Sequence, residues 1–270
     1  MAVERLLVRP ADHEPLAAGV VLSLSIVSHG DSMPLRELLD SLVAFESLDR
    51  IQLIVTDNLC SDLTDPAPQG WQSVEVLRPP RPRGFAANHN AAFERAVGTY
   101  FCVLNPDVRL IEPVFNDLMA HLAVQDAEMT APVLADSRGE IQDSFRGLPT
   151  PREILRRRLS VRGATILPTD GRPIRPDWIA GMFMLMRSST FSGLGGFDPH
   201  FRMYFEDVDL CTRLRLSGGR ILVDPAKRVL HDPRRRSRRP GQHFLWHTQS
   251  AVRFFVSDVY QRARRMSSDA

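Results

Sequence analysis

Only three cysteines occur in 270 residues, Cys60, Cys102 and Cys211, and they are far apart. An odd number without metal-ligand spacing suggests neither a disulfide framework nor a zinc site, and fits a reducing compartment. Long apolar runs are missing too. The longest, Ile179 to Met186, falls far short of a membrane span, and the N-terminus, MAVERLLVRPADHEP, interrupts its apolar residues with acids and proline where a signal peptide needs continuity. Net charge is nearly absent at +2, so the chain is no polycation built to coat nucleic acid. There is no internal repeat, no low-complexity tract and no glycine-rich, lysine-bearing phosphate loop after the first strand, where SHGDSMPL carries one glycine.

What remains is an ordinary globular composition, 43% hydrophobic and 24% charged, enough to bury a sizeable core. Residues 1–19 mix charge, proline and alanine without period and read as a tail or edge element. Order begins at Val21 to Val27, a short apolar run that ends in Ser28-His29-Gly30, as a buried strand enters a turn. Leucines at 35, 38, 39 and 42 then recur at helical spacing behind Pro34, which helices tolerate in their first turn. Ile51 to Val55, Val74 to Leu77 and Tyr100 to Leu104 are further strands, with a helix over Phe85 to Val97. Alternating strands and helices require right-handed crossovers and a mostly parallel sheet, whose ligands bind beyond the carboxyl ends of the strands. Three of those ends are polar: Ser28-His29-Gly30, Asp57-Asn58 and Asn105-Pro106-Asp107.

Beyond residue 178 the spacing predicts a strand over Met182 to Met186, a short helix to Leu194 and a helix over Asp207 to Leu216 that stops at Gly218-Gly219. Two short strands, Ile221 to Val223 and Arg228 to Leu230, lead into His231. The proline- and arginine-rich stretches 146–158 and 172–177 read as long loops, and Phe244 to Arg265 as one amphipathic terminal helix.

Several of these residues could carry chemistry. An aspartate at a strand end, as at Asp107, can hold Mg²⁺ or Mn²⁺ whose shell is completed by phosphate oxygens, although the same residue commonly caps a helix or forms a turn. Asp57 can equally close its strand as an Asx turn, and a lone histidine such as His231 is usually structural. Glu206, Asp207 and Asp209 gather three carboxylates directly after Phe201-Arg202-Met203-Tyr204-Phe205. Such a cluster complements a helix macrodipole whatever else it does. Asp209 either caps that helix or pairs with Arg213 at i+4.

The segment IAGMFMLMRSSTFSGLGGFDPHFRMYFEDVDLCTRLRLSGGRILVDPAKRVLH, together with LSIVSHG, IVTDNLCSD, GFAANHN and LNPD, closely resembles family-2 glycosyltransferases, in particular their rhamnosyltransferase-like branch. The resemblance runs in order over residues 20–255. It implies an α/β, GT-A nucleotide-diphospho-sugar transferase fold, a mixed, mostly parallel sheet flanked by helices, with a catalytic domain over 20–235 and a basic loop and helix over 236–270. It also implies roles. Asp57 would accept a hydrogen bond from the donor's base, with Ser28, Asn58 and Asp62 shaping that loop. Gly84, Phe85, Asn90 and Asn105 would complete the donor site. Asp107 would bind the cation, Mg²⁺ or Mn²⁺, and His231 would be a second ligand or a phosphate contact. Asp207 would be the general base, Glu206 would contact the acceptor or orient its neighbour, and Gly181, Met203, Tyr204 and Phe205 would wall the sugar. The sequence departs from the usual pattern at Asn105, where a first aspartate is common, and at His29, Cys60 and Pro82.

The implied activity is inverting transfer of a sugar, with L-rhamnose from dTDP-L-rhamnose favoured, to a saccharide or lipid-linked saccharide hydroxyl in surface polysaccharide synthesis. The implied location is cytoplasmic, with a peripheral contact to the inner face of the membrane. Arg234, Arg235, Arg236, Arg238 and Arg239, with Arg253, Arg262, Arg264 and Arg265, could meet anionic headgroups, the donor diphosphate or another subunit, or simply be solvated. Two other classes stay open at this point: a catalytically silent nucleotide-sugar-binding scaffold, and a nucleotidyltransferase.

Overall fold

The computed structural model of the chain describes residues 19–30, 32–60, 69–124, 127–159, 167, 171–232 and 240–268. The predicted alternation is present. Strand β1 (Leu22–Ser28) and strand β2 (Ile51–Asp57) are buried along their whole length, as expected of strands covered on both faces. Between them, α1 (Ser32–Phe45) turns Leu35, Leu38, Leu39 and Leu42 into the core. Strand β3 (Ser73–Leu77), α2 (Phe85–Phe93) and β4 (Tyr100–Leu104) follow.

Helix α2 stops four residues short of the predicted end, for a visible reason. Its exit turn gives its backbone groups to buried side chains of the sheet: Val97 N–H donates to Gln52 Oε1 at 3.0 Å, Gly98 N–H to Ser23 Oγ at 2.9 Å, and Gln52 Nε2 to Arg95 O at 2.9 Å. Ser23 Oγ in turn donates to Gln52 Oε1 at 2.6 Å. Buried polar groups on β1 and β2 thus find partners by ending a helix.

The stretch after residue 107, unread as structure in the sequence, supplies β5 (Val108–Leu110), α3 (Phe115–Val124), β6 (Met129–Ala135) and β7 (Phe145–Arg146). The stretch expected as a loop over 146–158 contains α4 (Pro151–Leu159). Then come β8 (Trp178–Ile179), β9 (Phe183–Arg187), α5 (Ser188–Gly193) and α6 (Glu206–Leu216). The two short strands expected before His231 are one, β10 (Ile221–His231), whose register shifts between Asp224 and Arg228. Pro225, which has no N–H to offer, lies inside that shift. The single terminal helix is two, α7 (Pro240–Val256) and α8 (Asp258–Ser268). Ser257 divides them: its Oγ accepts from Tyr260 N–H at 3.2 Å, starting a new helix.

The main sheet has the order β3-β2-β1-β4-β9-β6-β10-β5. The pairs β3-β2, β2-β1, β1-β4 and β6-β10 are parallel, while β9 runs antiparallel between β4 and β6, and β5 antiparallel to β10. The fold is therefore mixed α/β with a mostly parallel half, as expected. A second cluster of buried side chains, Phe201, Phe205, Val208, Phe254 and Tyr260, joins α6 to α7 and α8. The terminal helices thus pack directly on the aromatic run that precedes the acidic cluster.

Candidate functional site

Register brings the polar strand ends together. Ser28 sits opposite Asp57, and Ile26 opposite Leu104, so β1, β2 and β4 finish on one edge. Asp57 is fully buried with Arg78 Nε 3.8 Å from its carboxylate. Asn58 N–H donates to Ser28 O at 3.0 Å. Its side-chain amide clamps the approach to α2, accepting from Arg83 N–H at 2.8 Å and donating to Arg83 O at 2.9 Å. Ser28 Oγ is buried without a hydrogen-bond partner among the described residues. Asp62 lies outside the described residues.

Beyond β4, Asn105 N–H donates to Met182 O at 2.9 Å, and Val108 N–H to Asn105 O at 3.2 Å. Asp107 lies in that turn, and β5 pairs Val108 with His231 on β10. His231 Nε2 is 3.4 Å from Asp107 Oδ1, and His231 is 6% exposed. Two residues separated by the whole second half of the sheet are thus neighbours. The other ring nitrogen, Nδ1, is 2.6 Å from Gln142 Oε1, and Gln142 Nε2 donates to His231 O. Gln142 had no signal in the sequence; its partner is 89 residues away.

The acidic cluster opens α6. Asp207 Oδ2 accepts from Gly181 N–H at 3.0 Å and Oδ1 from Val208 N–H at 2.8 Å. Burial raises its pKa against those backbone donors. Glu206 is 5% exposed, and burial, followed by the charge of Asp207, pushes its pKa up to about 8. Glu206 Oε2 has no hydrogen-bond partner among the described residues. Adjacent carboxylates at low dielectric do not both ionise cheaply, so Glu206 holds a proton near neutrality while Asp207, which accepts from two backbone N–H groups, is the group that ionises. Asp209 pairs with Arg213 at 2.8 Å, and Arg213 also donates to Leu194 O and Gly196 O at 2.6 and 2.9 Å, tying α6 to the Gly-Gly-Phe loop.

Tyr204 and Phe205, just before α6, are both left-handed, with φ of 71° and 68°. Consecutive bulky residues in that region are strained, and such strain persists where surrounding contacts over-determine it. Here Tyr204 Oη is 3.0 Å from His243 Nδ1, Ser250 Oγ donates to Met203 O at 2.9 Å, and the Phe205 ring lies 5.5 Å from Phe254. Phe205 is a core side chain, 6% exposed, and so does not wall an open pocket as expected; its apolar ring is satisfied under α7. Met203 and Tyr204 stay half-buried.

The remaining expected site residues hold backbone in place. A Cβ on Gly84 would stand 2.4 Å from Arg202 O, and one on Gly181 2.8 Å from the Phe85 ring, so both positions need glycine for close approach. Phe85 N–H donates to Arg202 O at 3.2 Å. Asn90 is a brace: its amide accepts from Phe197 N–H at 2.9 Å and donates to Phe197 O at 2.8 Å, which leaves its polar atoms engaged with the chain. Of the arginines, 234, 235, 236, 238 and 239 lie outside the described residues. Arg253 is engaged by Asp198 at 3.8 Å and stacks over Phe201. Arg202 lies over the Trp246 ring at 4.8 Å, a contact with no local sequence signal. No described helix is long and apolar enough to cross a membrane.

Comparisons with known proteins bear on the family and the fold. Rhamnosyltransferase WbbL of Escherichia coli K12 is 29% identical over 246 residues, covering 86% of this chain and 91% of that protein. The N-acetylglucosaminyl-diphospho-decaprenol L-rhamnosyltransferase of Mycobacterium tuberculosis is 27% identical over 269 residues, covering 87% and 84%. Among solved structures, GalNAc-T7 with UDP, GalNAc and Mn²⁺ superposes with a TM-score of 0.59 at 20% identity, over 80% of this chain and 44% of that one, a likeness of fold. The sheet order, with its mostly parallel half and one inserted antiparallel strand, is the GT-A architecture. The sequence profile of Glycosyl transferase family 2 matches residues 23–212, most of the chain, and the protein therefore belongs to that family, in its rhamnosyltransferase-like part.

Proposed function

We propose that the protein is an inverting, metal-dependent glycosyltransferase that moves L-rhamnose from dTDP-L-rhamnose to a saccharide or lipid-linked saccharide hydroxyl in surface polysaccharide synthesis. The observation that carries the mechanism is a short chain of contacts. Asp207 accepts from Gly181 N–H, Gly181 precedes Met182, Met182 O accepts from Asn105 N–H, and Asp107 follows in the same turn. That chain of contacts supports a reading in which Asp207 and Asp107 serve one bound sugar nucleotide, the first as base and the second at the diphosphate. The printed names of the two bacterial relatives favour rhamnose as the sugar, and that of the second favours a lipid-linked acceptor.

Asp107 and His231 fit a hard divalent cation. Asp107 Oδ1 is buried without a hydrogen-bond donor among the described residues, and His231 Nε2 is 3.4 Å from it. This carboxylate and this imidazole would hold Mg²⁺ or Mn²⁺, cations that commonly bind nucleotides through their phosphates. A cation held there would supply positive charge to offset that of the departing diphosphate. Asp57, at the end of β2, accepts from the base, while Asn58 fixes the loop around it.

Across the sugar, Asp207 takes the acceptor's proton. As the anomeric carbon parts from the diphosphate oxygen, the acceptor oxygen bonds to the opposite face, and the configuration inverts. Burial strengthens Asp207 as a base, and its two N–H donors aim it. Protonated Glu206 offers its neighbour no competing charge and can donate to the acceptor. The decisive measurement is nucleotide diphosphate release from dTDP-L-rhamnose by wild type and Asp207→Asn, with and without Mn²⁺. Turnover by the variant should drop by about 10²- to 10⁴-fold while donor binding persists. Equal rates would remove Asp207 from the mechanism, and donor binding by both proteins without release of nucleotide diphosphate would favour a silent scaffold.

A further inference from the structure

The amide of Gln142 has only one sensible orientation. Its Nε2 meets the backbone oxygen of His231, an atom that can only accept, so the nitrogen must be there and the Oε1 must face His231 Nδ1 at 2.6 Å. An amide oxygen also only accepts. His231 Nδ1 must therefore carry the proton, and in the neutral ring Nε2 is left as a bare lone pair. That lone pair faces Asp107 Oδ1, another acceptor, at 3.4 Å. Two acceptors confronted in a buried site repel each other unless something positive lies between them.

We propose that Gln142 is a positioning residue that locks His231 in the Nδ1–H tautomer, so that its bare Nε2 and Asp107 Oδ1 jointly take a divalent cation. The inference rests on the metal-dependent reading above and deepens it, since it turns His231 from a phosphate contact or ligand into a ligand through Nε2. A partner on the far side of a ligating imidazole fixes ring orientation and raises its basicity, and losing one commonly weakens metal binding by about 10- to 100-fold. The lock is built to resist change. Gln142 N–H donates to Leu134 O at 2.8 Å, fastening its backbone to β6, next to the strand that carries His231.

Two measurements on the full chain test this. First, imidazole ¹⁵N–¹H correlation spectra of the metal-free wild type at about pH 8, with the His231 signals assigned by their loss in His231→Asn, should show protonated Nδ1 and bare Nε2. A proton on Nε2 with none on Nδ1 overturns the proposal without any variant having to fold. Second, Mn²⁺ alone is titrated and free ion followed by electron paramagnetic resonance. Gln142→Leu should bind about 10- to 100-fold more weakly than wild type, and Asp107→Asn should weaken too, with thermal melts reporting that each is folded. Equal Mn²⁺ affinity of wild type and Gln142→Leu overturns the role of Gln142 and leaves the metal reading intact. No saturable binding by wild type overturns both.

Discussion

Acidification should unlatch α2 through one buried histidine. His89 is 0% exposed, its Nδ1 is 2.7 Å from Ser25 Oγ, and the Phe85 and Phe197 rings lie 4.3 and 6.1 Å from it. Burial, followed by the charge of His29, lowers its pKa from 6.5 to about 3. Below pH 6.5 the unfolded chain takes up a proton that the native chain refuses, so this stabilisation is whole above the unfolded value and is lost as pH falls toward the folded one. From about pH 7 to about pH 5 the loss is about 2 kcal/mol, close to 1.4 kcal/mol for each pH unit below 6.5. Urea unfolding followed by circular dichroism, for wild type and His89→Leu at both pH values, isolates the histidine from every other titrating group. The variant is weaker at neutrality, because Ser25 loses its partner and a shape changes in the core, but that penalty does not depend on pH. Wild type should lose about 2 kcal/mol more than the variant between the two conditions. If both lose the same amount, His89 does not titrate as its burial requires, and the reasoning fails.

Glu206 has the opposite sign. Its pKa is raised from 4.5 to about 8, so the native chain holds a proton that the unfolded chain releases, and stability declines as pH rises through that window. Glu206→Gln should therefore flatten the alkaline side of the stability profile and be more stable than wild type at about pH 8 in the same urea assay; an unchanged alkaline slope would contradict it. Arg213→Met leaves Asp209 buried with an unpaired charge and frees the Leu194 and Gly196 carbonyls. Equilibrium unfolding should show a loss of about 3 to 5 kcal/mol, and a loss below about 1 kcal/mol would reduce that ion pair to an ordinary surface contact.

Much of the fold was legible where burial is two-sided and local. The runs of β1, β2, β4 and β9 are apolar enough to announce themselves, and the leucines of α1 mark their own period. Strand β6 was not read because MTAPVLA carries Thr130 and Pro132, which break an apolar run, although it is buried throughout. Helix α4, PREILRRRL, was hidden by its proline and arginines: the proline sits at the first position, where helices accept it. At the site, residues at strand ends could be named from their neighbours in sequence, since strand ends on one edge converge. Contacts between distant segments could not. The bracing of Phe197 by Asn90 spans 107 residues, and no local pattern distinguishes such an amide from one that faces a ligand.

The left-handed pair Tyr204-Phe205 joins these strands of argument, because it must turn the chain sharply enough to bury Phe205 on one side and deliver Asp207 to Gly181 on the other. Each such residue costs about 1 to 3 kcal/mol, and the opposing contacts come from α7: His243 to Tyr204, Ser250 to Met203, and Phe254 to Phe205. The terminal helices are thus the support against which Asp207 is held. Truncating the aromatic anchor should separate this role from mere stability. Phe205→Ala and Phe101→Ala, the latter in the sheet core, should each lose about 3 to 5 kcal/mol. At a temperature where both remain folded by circular dichroism, only Phe205→Ala should lose kcat, because a displacement of about 1 Å at a catalytic group costs on the order of 100-fold. Matching kcat values for the two variants would mean that Asp207 is aimed by Gly181 and Val208 alone, and that the strained turn contributes packing without positioning.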